Sequence, residues 1–116
     1  WPGLEGRTYA FADMVAAGAL LQLGSDAPVA PLDPWLAMSA AVGRRTPDGS
    51  VWSPAQRLTA EEALAASVNG AGPVAVGSSA DLVLLAEDPL RLGAEELAGV
   101  RPVATVVAGA VAHLRG

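Results

Sequence analysis

The first part of the chain alternates apolar segments with polar turns in an order typical of α/β structure. Residues 8–17 space aromatic and aliphatic side chains among alanines, which favours a helix with Thr8 as its cap and Gly18 at its end. Residues 19–23 are an apolar run that predicts a buried strand. The small-residue turn that follows carries one carboxylate, Asp26. The pattern therefore predicts a helix, a strand and an acidic turn, which is one repeat of an α/β fold.

Two further helices follow, separated by a polar loop. Asp33 stands directly before a proline, a pair that opens a helix, and the apolar pattern continues to residue 42. Thr59 and Glu62 have the spacing of a capping box, in which each side chain bonds the other residue's backbone N–H. The second helix is expected to run to about residue 68 and to end at Asn69-Gly70.

The composition changes to short β-type runs after residue 70. A short helix is predicted over 93–97, and Gly109-Ala110 is predicted to form a hairpin turn. We therefore divide the chain into an α/β segment, 1–70, and a small β unit, 71–116. The predicted β runs are residues 74–76, 81–85, 103–108 and 111–114.

Composition narrows the possible functions. The 116 residues are the size of one domain, and 52% of them are hydrophobic against 16% charged, which excludes a disordered chain. A net charge of −5 without a basic patch argues against nucleic-acid binding and against a polybasic membrane anchor. Without cysteine there is no disulfide or thiolate metal site. No run is long enough to span a bilayer, and we expect a cytoplasmic protein.

Few side chains are candidates for chemistry. Asp26 follows an apolar run, where α/β barrels carry their catalytic groups, although aspartate is also common in plain turns. Asp33 is better explained as a helix cap. Arg44 and Arg45 could contact an anionic substrate, but a polar loop favours two solvated charges. His113 lies in the last predicted strand and is expected to be a surface residue rather than a metal ligand.

Two other kinds of residue are expected to be structural. Asp81 begins a predicted strand, and its carboxylate is expected to hold the local turn by accepting backbone N–H bonds. Trp1, Trp35 and Trp52 are expected to pack rather than to form a binding cage, although Trp52 lies in a loop that could border a pocket.

Several motifs, in order, resemble a known enzyme family. Together they are similar to the last barrel strand, the following helix and the closing β-domain of amidohydrolases, in particular amidohydrolase family 3. The motifs are Gly-Ser-Asp-Ala-Pro-Val at 24–29, Asp-Pro-Trp at 33–35, Gln-Arg-Leu-Thr-Ala-Glu-Glu-Ala-Leu at 56–64, Ser-Ala-Asp-Leu-Val-Leu-Leu at 79–85 and Ala-Thr-Val-Val-Ala-Gly at 104–109.

The resemblance implies an α/β plus β architecture that is part of a larger enzyme. Residues 1–70 would be the C-terminal piece of a metal-dependent (β/α)8 barrel, comprising its last helix–strand unit and the helices that follow. Residues 71–116 would be the C-terminal part of a composite β-sandwich. The connection over 69–79 is shorter than is usual in the family, which leaves the pairing of 74–76 open.

The resemblance also implies a role for Asp26. It would be a ligand of a divalent metal, with zinc expected, and would accept the proton of the metal-bound water. The family's other ligands are a His-x-His pair, a carboxylated Lys or a Glu, and two further histidines. They are missing here, since the chain has no Lys and its single histidine is His113. The site, with one or two ions in the parent enzyme, would be incomplete in this chain.

The implied activity is hydrolysis of a non-peptide C–N bond in a small molecule, such as an amide, cyclic amide or formamide. The isolated chain is expected to be inactive, because zinc sites use three or more protein ligands.

The alternative function is that of a non-catalytic interaction module or a degenerate relative. The run 19–23 would be a bare edge without the remainder of the barrel, so self-association is expected.

Overall fold

A computed structural model describes residues 8–71 and 74–116, which form four short helices and one three-stranded sheet. The predicted loop over 1–7 lies outside the described residues. None of the helices within the described ranges is long and apolar enough to cross a membrane. In chain order the elements are α1 (Phe11–Ala16), α2 (Pro34–Gly43), α3 (Ala60–Ser67), β1 (Leu82–Leu84), α4 (Ala94–Gly99), β2 (Ala104–Val107) and β3 (Ala110–Leu114).

Helices α2 and α3 begin with the caps that the sequence predicts. The side chain of Asp33 accepts a hydrogen bond from the backbone N of Trp35 at 2.9 Å. In the capping box, Thr59 Oγ1 accepts from the N of Glu62 at 3.1 Å, and the Glu62 carboxylate accepts from the N of Thr59 at 2.8 Å. Helix α3 is followed by Asn69 in the left-handed region, with φ 54°. The structure confirms these signals. Each could be predicted because it depends on residues only a few positions apart.

The core lies where α4 crosses α2. Leu97 and Met38 are fully buried at the centre of this contact. Gly43, at the end of α2, has no side chain; a Cβ there would lie 2.9 Å from the Cβ of Ala94. The small residue therefore allows the two helices to approach closely. The buried cluster comprises Met38, Ala41, Leu58, Ala63 and Leu97.

The same contact joins the two segments of the chain. Helix α4 comes after residue 71, yet Leu97 packs into a cluster otherwise built by residues 38–63. The division into 1–70 and 71–116 stays a prediction.

The sheet is antiparallel, in the order β1-β2-β3, with most of its side chains exposed. Ala108 and Gly109 connect β2 and β3 with φ values of 49° and 82°, and Val107 pairs with Ala110. Two positive φ values in a two-residue loop are typical of a type I′ hairpin. The predicted turn at Gly109-Ala110 is therefore displaced by one residue. The exposed aliphatic residues of the sheet are Leu82, Val83, Leu84, Val107, Val111 and Leu114.

Asp81 joins this hairpin to β1, so it accepts a backbone N–H bond as expected, but from a turn 27 residues along the chain rather than from the local turn. Asp81 Oδ1 accepts a hydrogen bond from the backbone N of Ala108 at 2.7 Å. The N of Gly109 donates to the carbonyl of Ala80 at 3.0 Å. Hydrogen bonds from the Ser79 hydroxyl and then from Ala108 lower the pKa of the Asp81 carboxyl. One carboxylate thus joins the start of β1 to the far end of β2.

Helix α1 is shorter than predicted, and Thr8 does not cap it. The cap position is Ala10, which has no side-chain cap bond, and the helix begins at Phe11. Tyr9 has a φ of 52°, which is incompatible with a helix that starts at residue 8. The predicted end at Gly18 is confirmed by its φ of 83°.

Two predicted strands are wrong. Residues 19–23 form no strand, and Leu20 is 93% exposed rather than buried. A strand requires a partner backbone, whereas this run makes one long-range backbone bond within the described chain, from the N of Leu23 to the carbonyl of Ala66 at 2.9 Å. Residues 74–76 lead instead into a turn, in which the N of Ser78 donates to the carbonyl of Ala75 at 3.0 Å.

We predict that Leu97→Ala destabilises the fold strongly. Removing a fully buried leucine leaves a cavity between α2 and α4, and we expect a loss of about 2–5 kcal/mol in the free energy of unfolding. Leu90→Ala is the matched control, because Leu90 is 47% exposed; its cost should be about 1 kcal/mol or less. Urea unfolding measures both. Equal losses would contradict the position of the core.

A second prediction concerns Asp81. Because its pKa is lowered in the fold, its bond to Ala108 persists above the carboxyl's ordinary pKa and is lost as pH falls through the lower native value. In NMR, the Ala108 amide shift should titrate with a midpoint below about 3.9, the usual value for Asp. Ser79→Ala should move that midpoint upward, and Asp81→Asn should abolish the titration. An Ala108 shift that is constant between pH 2 and 6 would refute this assignment.

Candidate functional site

Asp26 lies in a tight turn directly after the apolar run 19–23. Its carbonyl accepts a hydrogen bond from the N of Val29 at 2.9 Å, and the N of Ala30 donates to the carbonyl of Ser25 at 3.2 Å. The peptide bond between Ala27 and Pro28 is cis. Asp26 itself has a φ of 50°, in the left-handed region that aspartate tolerates better than most residues.

The Asp26 carboxylate is exposed and makes no hydrogen bond or ion pair with any residue that the structure describes. A carboxylate held by a defined turn, with all its acceptor positions available, can bind a cation or accept a proton. The turn thus presents one reactive group.

The described residues alone do not fit a divalent metal. Within 8–71 and 74–116, no group of three or more His, Asp or Glu side chains is close enough to hold an ion. His113 is exposed on β3, opposite Thr105, as expected for a surface residue of the sheet. Asp26 is a suitable oxygen ligand, but one carboxylate does not complete a site.

Asp33 has a structural role, as predicted. Besides capping α2, its carboxylate lies 3.6 Å from a guanidinium nitrogen of Arg101. The pair connects the start of α2 with the chain after α4. Both interactions occupy the carboxylate, in contrast to that of Asp26.

The prediction of two solvated arginines is right for Arg45 and wrong for Arg44. Arg45 is exposed, donates to the carbonyl of Gly49 at 3.0 Å and lies 3.5 Å from the carboxylate of Glu95. Arg44 is only 8% exposed. Arg44 directly follows the last residue of α2 and has a φ of 52°. Its guanidinium lies over the rings of Phe11 and Trp52, which shield it from solvent.

The tryptophans that the structure describes pack, as expected. Trp35 lies against the core cluster. Trp52 contacts the ring of Tyr9 edge to face, with centroids 5.8 Å apart, and lies over the Arg44 guanidinium. Trp1 lies outside the described residues.

An apolar groove runs beside the segment that leads to Asp26. It has a volume of about 210 Å³ and lies between residues 19–22 and one side of α3. Its apolar lining includes Val15, Leu20 and Leu21. Such a surface suits packing against other apolar side chains rather than polar chemistry.

Sequence patterns missed the burial of Arg44. The neighbours that bury it, Phe11 and Trp52, are distant in sequence or belong to a loop without periodicity. The arginine itself stands in a polar stretch, where solvated charge is the normal state. One available signal was Gly43 before it, since helices commonly end near glycine with a residue in the left-handed region.

Comparison with known proteins gives consistent matches. The sequence model of the amidohydrolase family, Amidohydro_3, matches residues 1–113. YtcJ of Bacillus subtilis (strain 168), named as an amidohydrolase, is 27% identical over an alignment 118 residues long. The alignment covers 90% of this chain and 22% of that protein. The N-substituted formamide deformylase of Arthrobacter pascens is 32% identical over 112 residues, covering 88% of this chain and 21% of the enzyme.

The chain thus spans about a fifth of the length of these curated relatives. No solved structure gives a significant match to it.

Proposed function

Because the chain belongs to the amidohydrolase family, we propose that it is the C-terminal segment of a metal-dependent hydrolase acting on a non-peptide C–N bond. The observation that carries the proposal is the match of the family over residues 1–113, within which Asp26 presents a carboxylate without a partner among the described residues. In the parent enzyme, residues 1–70 would belong to the (β/α)8 barrel and 71–116 to the β-sandwich domain.

The proposed role of Asp26 rests on the resemblance to the family, and the geometry of its turn is compatible with that role. The carboxylate makes no hydrogen bond or ion pair with any described residue, so neither oxygen has a partner in that part of the chain. One oxygen would bind the metal, with zinc expected, and the other would accept a proton from the attacking water. A divalent metal, when bound, lowers the pKa of water toward neutrality.

The proton taken from water is then delivered to the leaving nitrogen. Water oxygen adds to the carbonyl carbon while Asp26 takes its proton. Asp26 passes that proton to the nitrogen as the C–N bond breaks, so that the products are a carboxylic acid and an amine. This sequence uses one carboxylate first as general base and then as general acid.

The substrate class is proposed as a small amide, cyclic amide or N-formyl amine. The relative with 32% identity is named for the removal of a formyl group from N-substituted formamides. That name supports formamides as the first compounds to test.

A non-catalytic role is the second candidate. It is favoured because no group of three or more possible metal ligands lies together among the described residues. Under this reading the Asp26 carboxylate would be a solvated turn residue, and its replacement would change no activity.

Asp26→Asn should abolish turnover in the complete enzyme that contains this segment. Asparagine keeps the shape of the side chain but accepts no proton and is a weaker metal ligand. We expect kcat to fall by about 10²- to 10⁴-fold, the usual contribution of general acid–base catalysis, with a smaller effect on KM.

The matched control is Asp13→Asn, which replaces another exposed carboxylate, on α1, and should leave kcat unchanged. Steady-state kinetics on an N-formyl amine give both values. Near-normal kcat in Asp26→Asn, with a folded protein, would favour the non-catalytic reading.

The 116-residue chain alone should be inactive and should self-associate. Leu20, at 93% exposed, and the aliphatic residues of the sheet present apolar surface, which we propose contacts the remainder of the barrel and sandwich in the parent. Sedimentation equilibrium should show concentration-dependent association.

The activity of the chain is tested separately. With zinc or manganese, turnover of amides, formamides and lactams should equal that of Asp26→Ala. A monodisperse monomer, or turnover above that control, would overturn the proposal that the chain is part of a larger enzyme.

A further inference from the structure

We infer that Arg101 is a positioning residue for Asp26, and that it acts through its ion pair with Asp33 at the end of the turn segment. The turn segment is residues 24–33, which connect the apolar run 19–23 to α2. The role of Arg101 rests on the function proposed for Asp26, and it gives a residue beyond α4 a part in the same site.

One carboxylate and one guanidinium join the start of α2 to the end of α4. Asp33 Oδ1 accepts a hydrogen bond from the N of Trp35 at 2.9 Å, and Asp33 Oδ2 lies 3.6 Å from Arg101 Nη1. The same nitrogen donates to the carbonyl of Val100 at 2.6 Å and to that of Ala98 at 3.2 Å. The Arg101 side chain is therefore bonded to two helix ends at once.

Helix α4 gives Arg101 a fixed place in the fold. Leu97 is fully buried in the core, one residue before the Ala98 carbonyl that Arg101 bonds. The guanidinium is thus attached to a part of α4 that packing already holds. The Asp33 side chain that it contacts is 25% exposed, so this end of the turn segment lies against the fold rather than in open solvent.

The chain between Asp33 and Asp26 has little freedom to absorb a displacement. Two backbone hydrogen bonds close the turn around Asp26, and the N of Asp33 donates to the carbonyl of Pro31 at 2.8 Å. Pro28 and Pro31 each fix one backbone φ, because the proline ring closes onto the nitrogen. A shift at Asp33 is therefore passed along the turn segment to the carboxylate of Asp26.

The other end of the turn segment is held by α3. The N of Leu23 donates to the carbonyl of Ala66 at 2.9 Å. The side-chain amide of Gln22 donates to that of Asn69, just after the helix. Asp26 therefore lies between two anchors, and the loss of either one releases one end of the segment that carries it.

The ion pair should matter more for position than for stability. The Arg101 side chain is 58% exposed, and exposed ion pairs add little to the free energy of unfolding. Its removal should leave the urea midpoint nearly unchanged. Catalysis is more sensitive, because a displacement of about 1 Å at a reacting group can cost about 100-fold in rate.

Arg101→Gln in the complete enzyme that contains this segment tests the role. We expect kcat to fall by about 10- to 100-fold with KM nearly unchanged. Arg101→Lys should retain most of kcat, because the contact with Asp33 is a single one and needs no paired donors. Arg91→Gln is the matched control: it breaks the exposed pair with Asp88, whose atoms lie 3.5 Å apart, and should leave kcat unchanged.

A double-mutant cycle separates this role from a simple cap on α4. Asp33→Asn removes the charge but keeps a side-chain oxygen that can cap α2. If Arg101 acts through Asp33, adding Arg101→Gln to Asp33→Asn should lower kcat no further. An equal fall in both backgrounds would mean that Arg101 acts on α4 alone, and it would overturn the assignment.

The position of the turn is measured without activity, by ¹⁵N–¹H NMR of the 116-residue chain. The amides of Val29 and Ala30, which close the turn around Asp26, should shift in Arg101→Gln and in Asp33→Asn. They should return toward the wild-type positions in Arg101→Lys and stay unchanged in Arg91→Gln. Amide signals that do not move in Arg101→Gln would overturn the assignment.

Asp26→Asn separates the two possible failures. If Asp26→Asn is inactive, wild-type kcat in Arg101→Gln contradicts the role of Arg101 and leaves the proposed function intact. If Asp26→Asn keeps wild-type kcat, the proposed function fails, and the Val29 and Ala30 signals decide whether Arg101 sets the position of the turn.

Discussion

The contact between α2 and α4 is the packing interaction on which the rest of the described structure depends. It is made possible by Gly43, where any larger residue would meet Ala94, and it buries Leu97 against Met38. The helices are too short to be stable alone, since isolated helices of this length are marginal in water. Their packing therefore holds them in place, and it also fixes where α2 ends and the chain turns back through Arg44.

The candidate site and the core have opposite characters. The core is small, apolar and closed, and it uses residues from both ends of the described chain. Asp26 stands outside it on a turn, connected to the core through the neighbouring run that bonds Ala66. The Asp26 carboxylate makes no side-chain bond that stabilises the described fold, so the role proposed for it would not compete with that stability.

Most signals that depend on adjacent residues could be read from the sequence, with the cap predicted at Thr8 as the exception, and signals that need a distant partner could not. The caps at Asp33 and Thr59 and the end of α1 at Gly18 depend on a few adjacent residues, and all are confirmed. Residues 19–23 have a strand pattern, but pairing requires a neighbouring backbone that the pattern does not contain. The polar loop around Arg44 predicted a solvated side chain, but aromatic rings from elsewhere in the chain bury it.

Asp26 as a site residue stays a prediction, which rests on its position after an apolar run and on the family motif around it. The structure adds the turn that holds Asp26 and shows no partner for its carboxylate among the described residues. Which side chains would join it is not encoded near Asp26, because metal and catalytic ligands come together from separate strands of a barrel.

The late position of Leu97 also affects how the chain is made. Met38, Ala41, Leu58 and Ala63 leave the ribosome well before the residue that completes their cluster. At about 5–20 residues per second, the gap between Met38 and Leu97 amounts to several seconds of synthesis. During that time the earlier helices have an incomplete core and exposed apolar side chains. Until α4 emerges, the earlier helices therefore lack the side chain that completes their core, and slower synthesis of the stretch before Leu97 would lengthen that interval.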